Sequence, residues 1–391
     1  MTEEDMTSGH AEIEFAFLRG TVYLFVFMLS LYLFINSTEN SDIYAHTRLI
    51  EQLDKGNLVA PHFLYHLTVY GISKISHISF FYISCLVLAS CIVLTMVLIE
   101  RILCISFKET YSNVFLLFIS FALMFVSAVY FPLINKYPYV GIWSPNPWHN
   151  PTFIAARPFV LLSFYWYSLE MIKKKYFDKW FSIIRISILL VICALTKPNF
   201  VLAFIPASMV FCLFFADRKK TMLFKTGLLI LPVLGVLLFQ FLFTYYYNTN
   251  IDSSIRFCFF DVWHVYAQSV PIAILQEAAF PIFLSAVMFS LLWKEKLLIF
   301  SWILFIIGLL IFGLLCESGH RKNNGNFGWT HMFCLNILFI YSTIAFLRWV
   351  ADVQDKNRLF QMKLFLCVSV FLLHFFSGIY YVRYLISGHS L

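Results

Sequence analysis

Charge is what this sequence has least of. Only 13% of its 391 residues are Asp, Glu, Lys or Arg, 61% are hydrophobic, and the mean hydropathy is +0.80. That balance excludes a soluble globular chain, in which about a quarter of residues are charged. Acids are scarcer than bases, 21 against 28, for a net charge of +7. In a chain this apolar the basic excess marks cytoplasmic anchoring and gives no reason to expect nucleic acid. Metal-ligand spacings are missing as well: there is no CxxC and no HExxH. The nine cysteines (85, 91, 104, 193, 212, 258, 316, 334, 367) fall mostly in apolar segments and read as small buried hydrophobes. No internal repeat and no low-complexity linker is evident, which excludes solenoids and flexible tethers. Met1 to Glu14 is polar and acidic, unlike the basic start of a signal peptide. The first apolar run is therefore expected to act as an uncleaved anchor.

What the chain has instead is a series of apolar runs of roughly 17–25 residues, the length that crosses a ~30 Å hydrocarbon core. They predict an all-α polytopic membrane protein, one integral domain over 1–391. The expected transmembrane helices lie at 17–36, 79–99, 112–131, 152–172, 181–197, 199–216, 226–247, 271–293, 297–316, 330–349 and 363–384. That makes about eleven. Residues 1–16 read as a cytoplasmic tail. With the N-terminus inside, alternate loops collect most of the 28 Lys and Arg, among them Arg101, Lys108, Lys173–Lys175, Arg218–Lys220, Lys294, Lys296, Lys356 and Arg358. The C-terminus then lies outside.

The first outer loop, 37–78, contains two segments too short to span. Ser41 to Lys55 reads as an amphipathic helix, with Ser41 at its N-cap and Asp42, His46, Leu49 and Leu53 on one stripe. Pro61 to Ile75 reads as a second, starting at Pro61 and ending near Gly71. Both are expected at the membrane interface.

The outer loops hold the unusual polar residues. They are Asp42, His46, His62 and His66; Trp148, His149 and Asn150 in a Pro-rich turn; Arg157 one turn into the next helix; Lys197 before Pro198; Asp261 and His264; Glu277; and Glu317, Arg321, Asn326 and His331. Each has a plain reading. Asp42 is then a helix-start acid, the histidines interfacial polar tips, Lys197 a snorkelling lysine, and Glu317 with Arg321 a structural i, i+4 pair. Taken together on one face, cations and acids near helix ends point to a pocket for an anion where protons are handled. A lipid-linked phosphate needs cations, for which Arg157, Lys197 and Arg321 serve. An acceptor hydroxyl needs a base, for which Asp42 serves. His46, His66, Trp148, His149, Asn150, His264, Glu317 and Asn326 are candidates to hold a sugar or acceptor. His62 and His66 stand at i, i+4 spacing, as helical metal ligands do, but no adjacent carboxylate pattern accompanies them and no metal is assigned.

This order of features resembles the GT-C superfamily of integral membrane glycosyltransferases. The likeness consists of an anchoring helix, an acid in the first outer loop (Asp42), an amphipathic helix, a Pro-led juxtamembrane helix (Pro61-His62-Phe63-Leu64-Tyr65-His66-Leu67), and a spanning helix ending in basic residues. It covers roughly 15–200 well and the rest loosely. The resemblance implies Asp42 as catalytic base, and a sugar on polyprenyl phosphate as donor, presented from the outer leaflet. It also implies a lipid or surface-glycan acceptor and a bacterial cytoplasmic (inner) membrane. The sequence departs from the pattern in two ways. Ser41 and Tyr44 stand where a paired acid is usual, which argues against a metal-dependent DxD mechanism, and no soluble outer domain follows the helices. Two other readings remain: an O-antigen-type polymerase or ligase, and a transporter or flippase, for which His374 and Gln240 are the main midplane polar residues.

Overall fold

The computed structural model describes residues 3–39, 41–57, 60–172, 180–247 and 254–388. The architecture is helical: α1 (Glu3–Ile35), α2 (Asp42–Asp54), α3 (Leu64–Ser76), α4 (Phe80–Phe107), α5 (Asn113–Phe125), α6 (Pro151–Ile172), α7 (Trp180–Thr196), α8 (Asn199–Phe215) and α9 (Lys219–Leu242). After a strand β1 (Ile255–Phe257) come α10 (Asp261–Tyr266), α11 (Val270–Glu277), α12 (Ala279–Val287), α13 (Phe289–Leu292) and α14 (Lys296–Leu314). Strand β2 (Leu315–Glu317) precedes α15 (Gly328–Asp352) and α16 (Arg358–Ile386).

Among the described residues, six helices are long and apolar enough to cross a bilayer: those at α1, α4, α9, α14, α15 and α16. A seventh is reached if α11 and α12, bent by 72° at their junction, count as one broken span. Shorter apolar helices are α5, α7 and α8. The chain is a multi-pass membrane protein, and on length and composition six or seven spans stand against the eleven expected.

The differences have local causes. α1 runs back to Glu3, so the stretch expected as a tail is helical over most of its length. The expected helix 112–131 stops at Phe125, where Val126 turns extended (φ −61°, ψ 136°). From there to Asn150 the chain is largely irregular, yet 141–148 are all buried. Irregular backbone is tolerated at such depth only where protein satisfies its polar groups. Here α16 and the bent α11–α12 junction do so. Ser127 N–H donates to the His374 carbonyl (3.1 Å), and the His374 ring holds the Ser127 carbonyl with Nδ1 (2.6 Å) and the Phe280 N–H with Nε2 (3.1 Å). Val129 N–H donates to the Gln276 carbonyl (2.9 Å), and the Gln276 amide returns to the Val129 carbonyl (3.0 Å). The approach is so close that a Cβ on Gly378 would sit 1.4 Å from the Phe125 carbonyl oxygen. His374 is thus a strut of the fold.

The two short helices between α1 and α4 lie close to their expected positions. Ser41 occupies the N-cap place of α2, but its hydroxyl makes no capping bond. Ile43, Thr47 and Ile50 form the buried stripe of α2, while Asp42, His46 and Leu49 face the cavity described below. α3 begins at Leu64 rather than Pro61, runs through Gly71, and ends at His77 in the left-handed region (φ 57°). Lys74 joins Asp54 (2.8 Å), linking the far ends of α2 and α3.

One cysteine expectation is corrected. Cys258 and Cys316 form a disulfide. Cys258 follows β1 directly and Cys316 lies within β2, in the antiparallel ladder where Arg256 faces Cys316 and Ile255 faces Glu317. Spacing alone gave no sign of a pair 58 residues apart. The other seven cysteines are free and buried or half-buried, as small hydrophobes.

Candidate functional site

A cavity of about 1300 Å³ opens where the C-terminal ends of α1, α7, α9 and α14 meet the N-terminal ends of α6, α8 and α15. α2 forms part of its wall through Asp42, His46 and Leu49. Apolar lining comes from Leu33 and Phe34 of α1 and from Leu234, Leu238 and Phe241 of α9. Polar and aromatic side chains make up much of the rest.

The polar side is organised by Asn150. As N-cap of α6 with Pro151 behind it, its Oδ1 accepts the Phe153 N–H (2.9 Å), a pattern the Asn-Pro order favours. The same oxygen accepts from the Thr152 hydroxyl and from Lys197 Nζ, both at 3.1 Å. These acceptor bonds orient the amide, and Nδ2 then donates to Asp42 Oδ2 (2.7 Å). A carboxylate and an ammonium are therefore held on either side of one side-chain amide. Among the described residues Asp42 makes no other side-chain hydrogen bond, so Oδ1 is uncommitted. Lys197 also donates to Thr152 (3.1 Å) and lies over the Trp329 ring (4.8 Å). Lys197 is 7% exposed, and burial lowers its ammonium to about 7, with Asp42 acting in the opposite direction. Burial displaces the ordinary preference for charge, and the neighbouring carboxylate restores part of it.

Next to this pair stands a histidine group. His46 Nδ1 and His66 Nε2 are 2.8 Å apart, and His62 lies beside His66 with ring centroids 6.4 Å apart. Burial first, then the nearby Lys197 ammonium, moves His62 down to about 3. Burial likewise takes His66 to about 4 and His46 well below its ordinary value. His149 is lowered by burial against an opposing effect of Asp42; its ring packs edge-on to Tyr139 (5.0 Å). Burial thus disfavours the charged form of Lys197 and of the imidazoles around it.

A further part of the lining is built on β2 and the turn after it. Glu317, 4% exposed, pairs with Arg321 (3.1 Å) and accepts from the Tyr245 hydroxyl (2.9 Å) and from the Asn326 amide. The plain i, i+4 reading of Glu317 and Arg321 is what the geometry contains, and Arg321 still lines the cavity with part of its guanidinium exposed. Asn199 donates to the Asn326 carbonyl (2.8 Å) and to Thr330 (3.1 Å), tying α8 to α15.

The structure brings Asp42, Lys197, Arg321, His46, Trp148, His149, Asn150, Glu317 and Asn326 to one cavity, with His66 directly behind His46. Two candidates fall elsewhere. Arg157 is 2% exposed and does not line the cavity; it donates to Asn146 Oδ1, whose amide caps the Leu123 and Val126 carbonyls at the end of α5. Nearly two helical turns into α6, Arg157 reaches the irregular segment instead of a ligand. His264 is exposed on α10, outside the cavity. Glu277 is consumed by His331 (2.6 Å) and by the Trp143 N–H (3.3 Å), both acid and histidine being fully buried. The histidines gather no metal constellation: among the described residues no group of three or more His, Cys, Asp or Glu is placed to hold an ion.

Several lining residues were not among the expected site residues: Tyr139, Thr152, Asn199, Tyr245 and Trp329. Only Thr152 had a usable cue, as the second residue of a helix opened by Asn-Pro. Tyr139 and Trp143 reach the wall through Gly141 (φ 92°), where a Cβ would strike the Tyr266 carbonyl oxygen at 2.3 Å.

No protein-family model matches this sequence, and no curated protein matches it.

Proposed function

We propose that this protein is a membrane glycosyltransferase of GT-C type that moves a sugar from a polyprenyl-phosphate donor to a lipid or glycan hydroxyl. The observation that carries the reading is the Asp42–Asn150–Lys197 arrangement in a cavity lined by both apolar and polar side chains. Asp42 Oδ1 takes the proton from the acceptor hydroxyl. The freed oxygen attacks the anomeric carbon, whose bond to the phosphate oxygen breaks with inversion. The phosphate leaves as an anion held by Lys197 and Arg321. Approach of that anion favours the charged form of Lys197, so phosphate binding and lysine protonation are coupled. Trp148, Trp329, Tyr139 and His149 are aromatic lining against which a sugar would sit, and Leu33, Phe34, Leu234 and Leu238 of α1 and α9 are apolar lining suited to an isoprenoid chain. No metal ion enters the proposal.

The cavity is assigned to the outer face of a bacterial inner membrane. Arg101, Lys108, Arg218, Lys294, Lys296 and Arg358 sit at helix ends away from the cavity, which supports that orientation by the positive-inside rule. The Cys258–Cys316 disulfide on the cavity side supports it independently, since disulfides persist in oxidising compartments. Helix ends that meet the cavity alternate along the chain, in keeping with eleven crossings if the shorter helices and the bent segment each traverse.

The test is product formation by purified protein in liposomes given polyprenyl-phosphate sugars and a lipid acceptor. Sugar transfer with release of polyprenyl phosphate supports the reading. Substrate movement across the bilayer without product would replace it with a transporter. Loss of glycan polymer, rather than of a single sugar, in a deletion strain would replace it with an O-antigen-type polymerase or ligase.

A further inference from the structure

Asn150 was expected to hold a sugar or acceptor, but its hydrogen bonds give it another task. The amide cannot be turned round. Phe153 N–H, a backbone group that only donates, meets Oδ1 at 2.9 Å. Lys197 Nζ and the Thr152 hydroxyl meet the same oxygen at 3.1 Å. An oxygen with two lone pairs is thereby saturated, and Nδ2 is left facing Asp42 Oδ2 at 2.7 Å. Asn150 is buried, and its carbonyl oxygen has no capacity left for a ligand. Three helix ends hold the partners in place. Asp42 opens α2, where an N-terminus favours an anion. Lys197 follows α7, with its N–H on the Cys193 carbonyl (2.7 Å), where a C-terminus favours a cation. Asn150 caps α6 between them, so acid and ammonium meet through one neutral amide.

We propose that Asn150 is the positioning residue of Asp42: its Nδ2–H commits Oδ2, leaves Oδ1 as the oxygen that takes the acceptor's proton, and keeps Asp42 from pairing directly with Lys197. A direct ion pair would occupy both charges, whereas the amide leaves the carboxylate free to act as base and the ammonium free for a phosphate. The arrangement survives the arrival of the proton. Once Oδ1 carries it, Oδ2 is the carbonyl oxygen of the acid and still accepts from Nδ2. Asn150 therefore acts through Asp42 and does not itself hold the sugar. Its part in the reaction rests on the proposed transfer, but the orientation of the amide does not.

The experiment compares the full-length wild type, Asn150→Asp, and the exchange that combines Asp42→Asn with Asn150→Asp. Thermal unfolding is read in detergent and sugar transfer in liposomes. Asn150→Asp keeps an oxygen for Phe153, Thr152 and Lys197, and Asp caps a helix as well as Asn. Its second oxygen meets Asp42 Oδ2, and two carboxylates at that range share one proton. The folded variant holds that proton more tightly than the unfolded chain. Its unfolding temperature should therefore drop relative to wild type as pH rises from about 5 to about 8. The acid limb of transfer should move up by about two pH units, a deficit of about 100-fold near pH 6 that shrinks toward pH 8. The exchange restores the bond with donor and acceptor reversed. Its unfolding temperature should recover at both pH values, while transfer stays lost because the carboxylate has left position 42. An exchange no more stable than Asn150→Asp overturns the proposal. So does an Asn150→Asp protein whose transfer falls equally at every pH, or an exchange that transfers sugar. The expected stability pattern beside no transfer by wild type would keep the hold of Asn150 on Asp42 and remove the transfer reaction.

Discussion

Lys197→Met separates a lysine kept for function from one kept for structure. Burial lowers Lys197 from 10.5 to about 7. Each unit corresponds to ~1.36 kcal/mol, so holding this side chain inside costs roughly 4–5 kcal/mol gross near neutral pH. Methionine has similar length and no charge to desolvate. Removing Nζ leaves no acceptor bare, because Asn150 Oδ1 keeps the Phe153 N–H (2.9 Å) and the Thr152 hydroxyl (3.1 Å). The losses are two hydrogen bonds and the contact with Trp329, the latter worth about 0.5–2 kcal/mol. The variant is therefore expected to be about 1–3 kcal/mol more stable, seen as a rise of a few degrees in thermal unfolding in detergent. Sugar transfer should fall about 100-fold or more, because the phosphate loses a buried cation. The pH dependence follows the same logic. Between about 7 and 10.5 the unfolded chain binds the Lys197 proton more tightly than the folded one, so wild-type stability rises with pH across that window. That component should vanish in Lys197→Met. A variant that unfolds several degrees below wild type would refute the reasoning and make Lys197 a structural strut.

Three further outcomes are expected. Gly378→Ala places a methyl against the Phe125 carbonyl oxygen, so it should destabilise by about 3 kcal/mol or more and cut the yield of folded protein, whereas Gly20→Ala, with nothing within 4 Å, should behave as wild type in the same detergent thermal scan. Because His62 and His66 titrate near 3 and 4 inside the fold and near 6.5 outside it, the unfolded chain binds their protons first. Stability should then be lost as pH falls from about 6.5 toward 4, and His62→Phe should flatten that loss in denaturation at pH 7 and pH 4.5. Reduction, or Cys258→Ser, should lower thermal stability by about 2–4 kcal/mol, with Cys258 and Cys316 reacting with maleimide only after reductant.

Much of the fold was written in hydropathy. The apolar runs located the long helices, since a hydrophobic stretch must be helical to bury its backbone in lipid, although α1 begins at Glu3 rather than at 17 and α4 ends at Phe107 rather than at 99. The period of α2 was legible too, and put Asp42 and His46 on one face. Three things were not. The break at Glu277–Ala278 and the irregular course after Phe125 depend on His374 and Gln276, partners far along the chain that composition cannot pair. Arg157 looked like a ligand cation because charge at a helix end often faces a cavity, but which way a helix faces is decided by its neighbours. Asn146 offered a buried amide on the other side. The disulfide joins loops that approach only through a two-stranded ladder. Asn150 was legible as a polar residue near a helix start; its role as the bridge between Asp42 and Lys197 required the position of α7.

The central claim is that Asp42 takes a proton in a reaction. Its most direct test is sugar transfer by purified wild type and Asp42→Asn, with polyprenyl-phosphate sugar and a lipid acceptor. The amide that replaces the carboxylate keeps an oxygen to accept from Asn150 Nδ2, so unfolding temperature should stay within a degree or two while transfer falls about 100-fold or more. Full transfer by a folded Asp42→Asn protein would contradict the account.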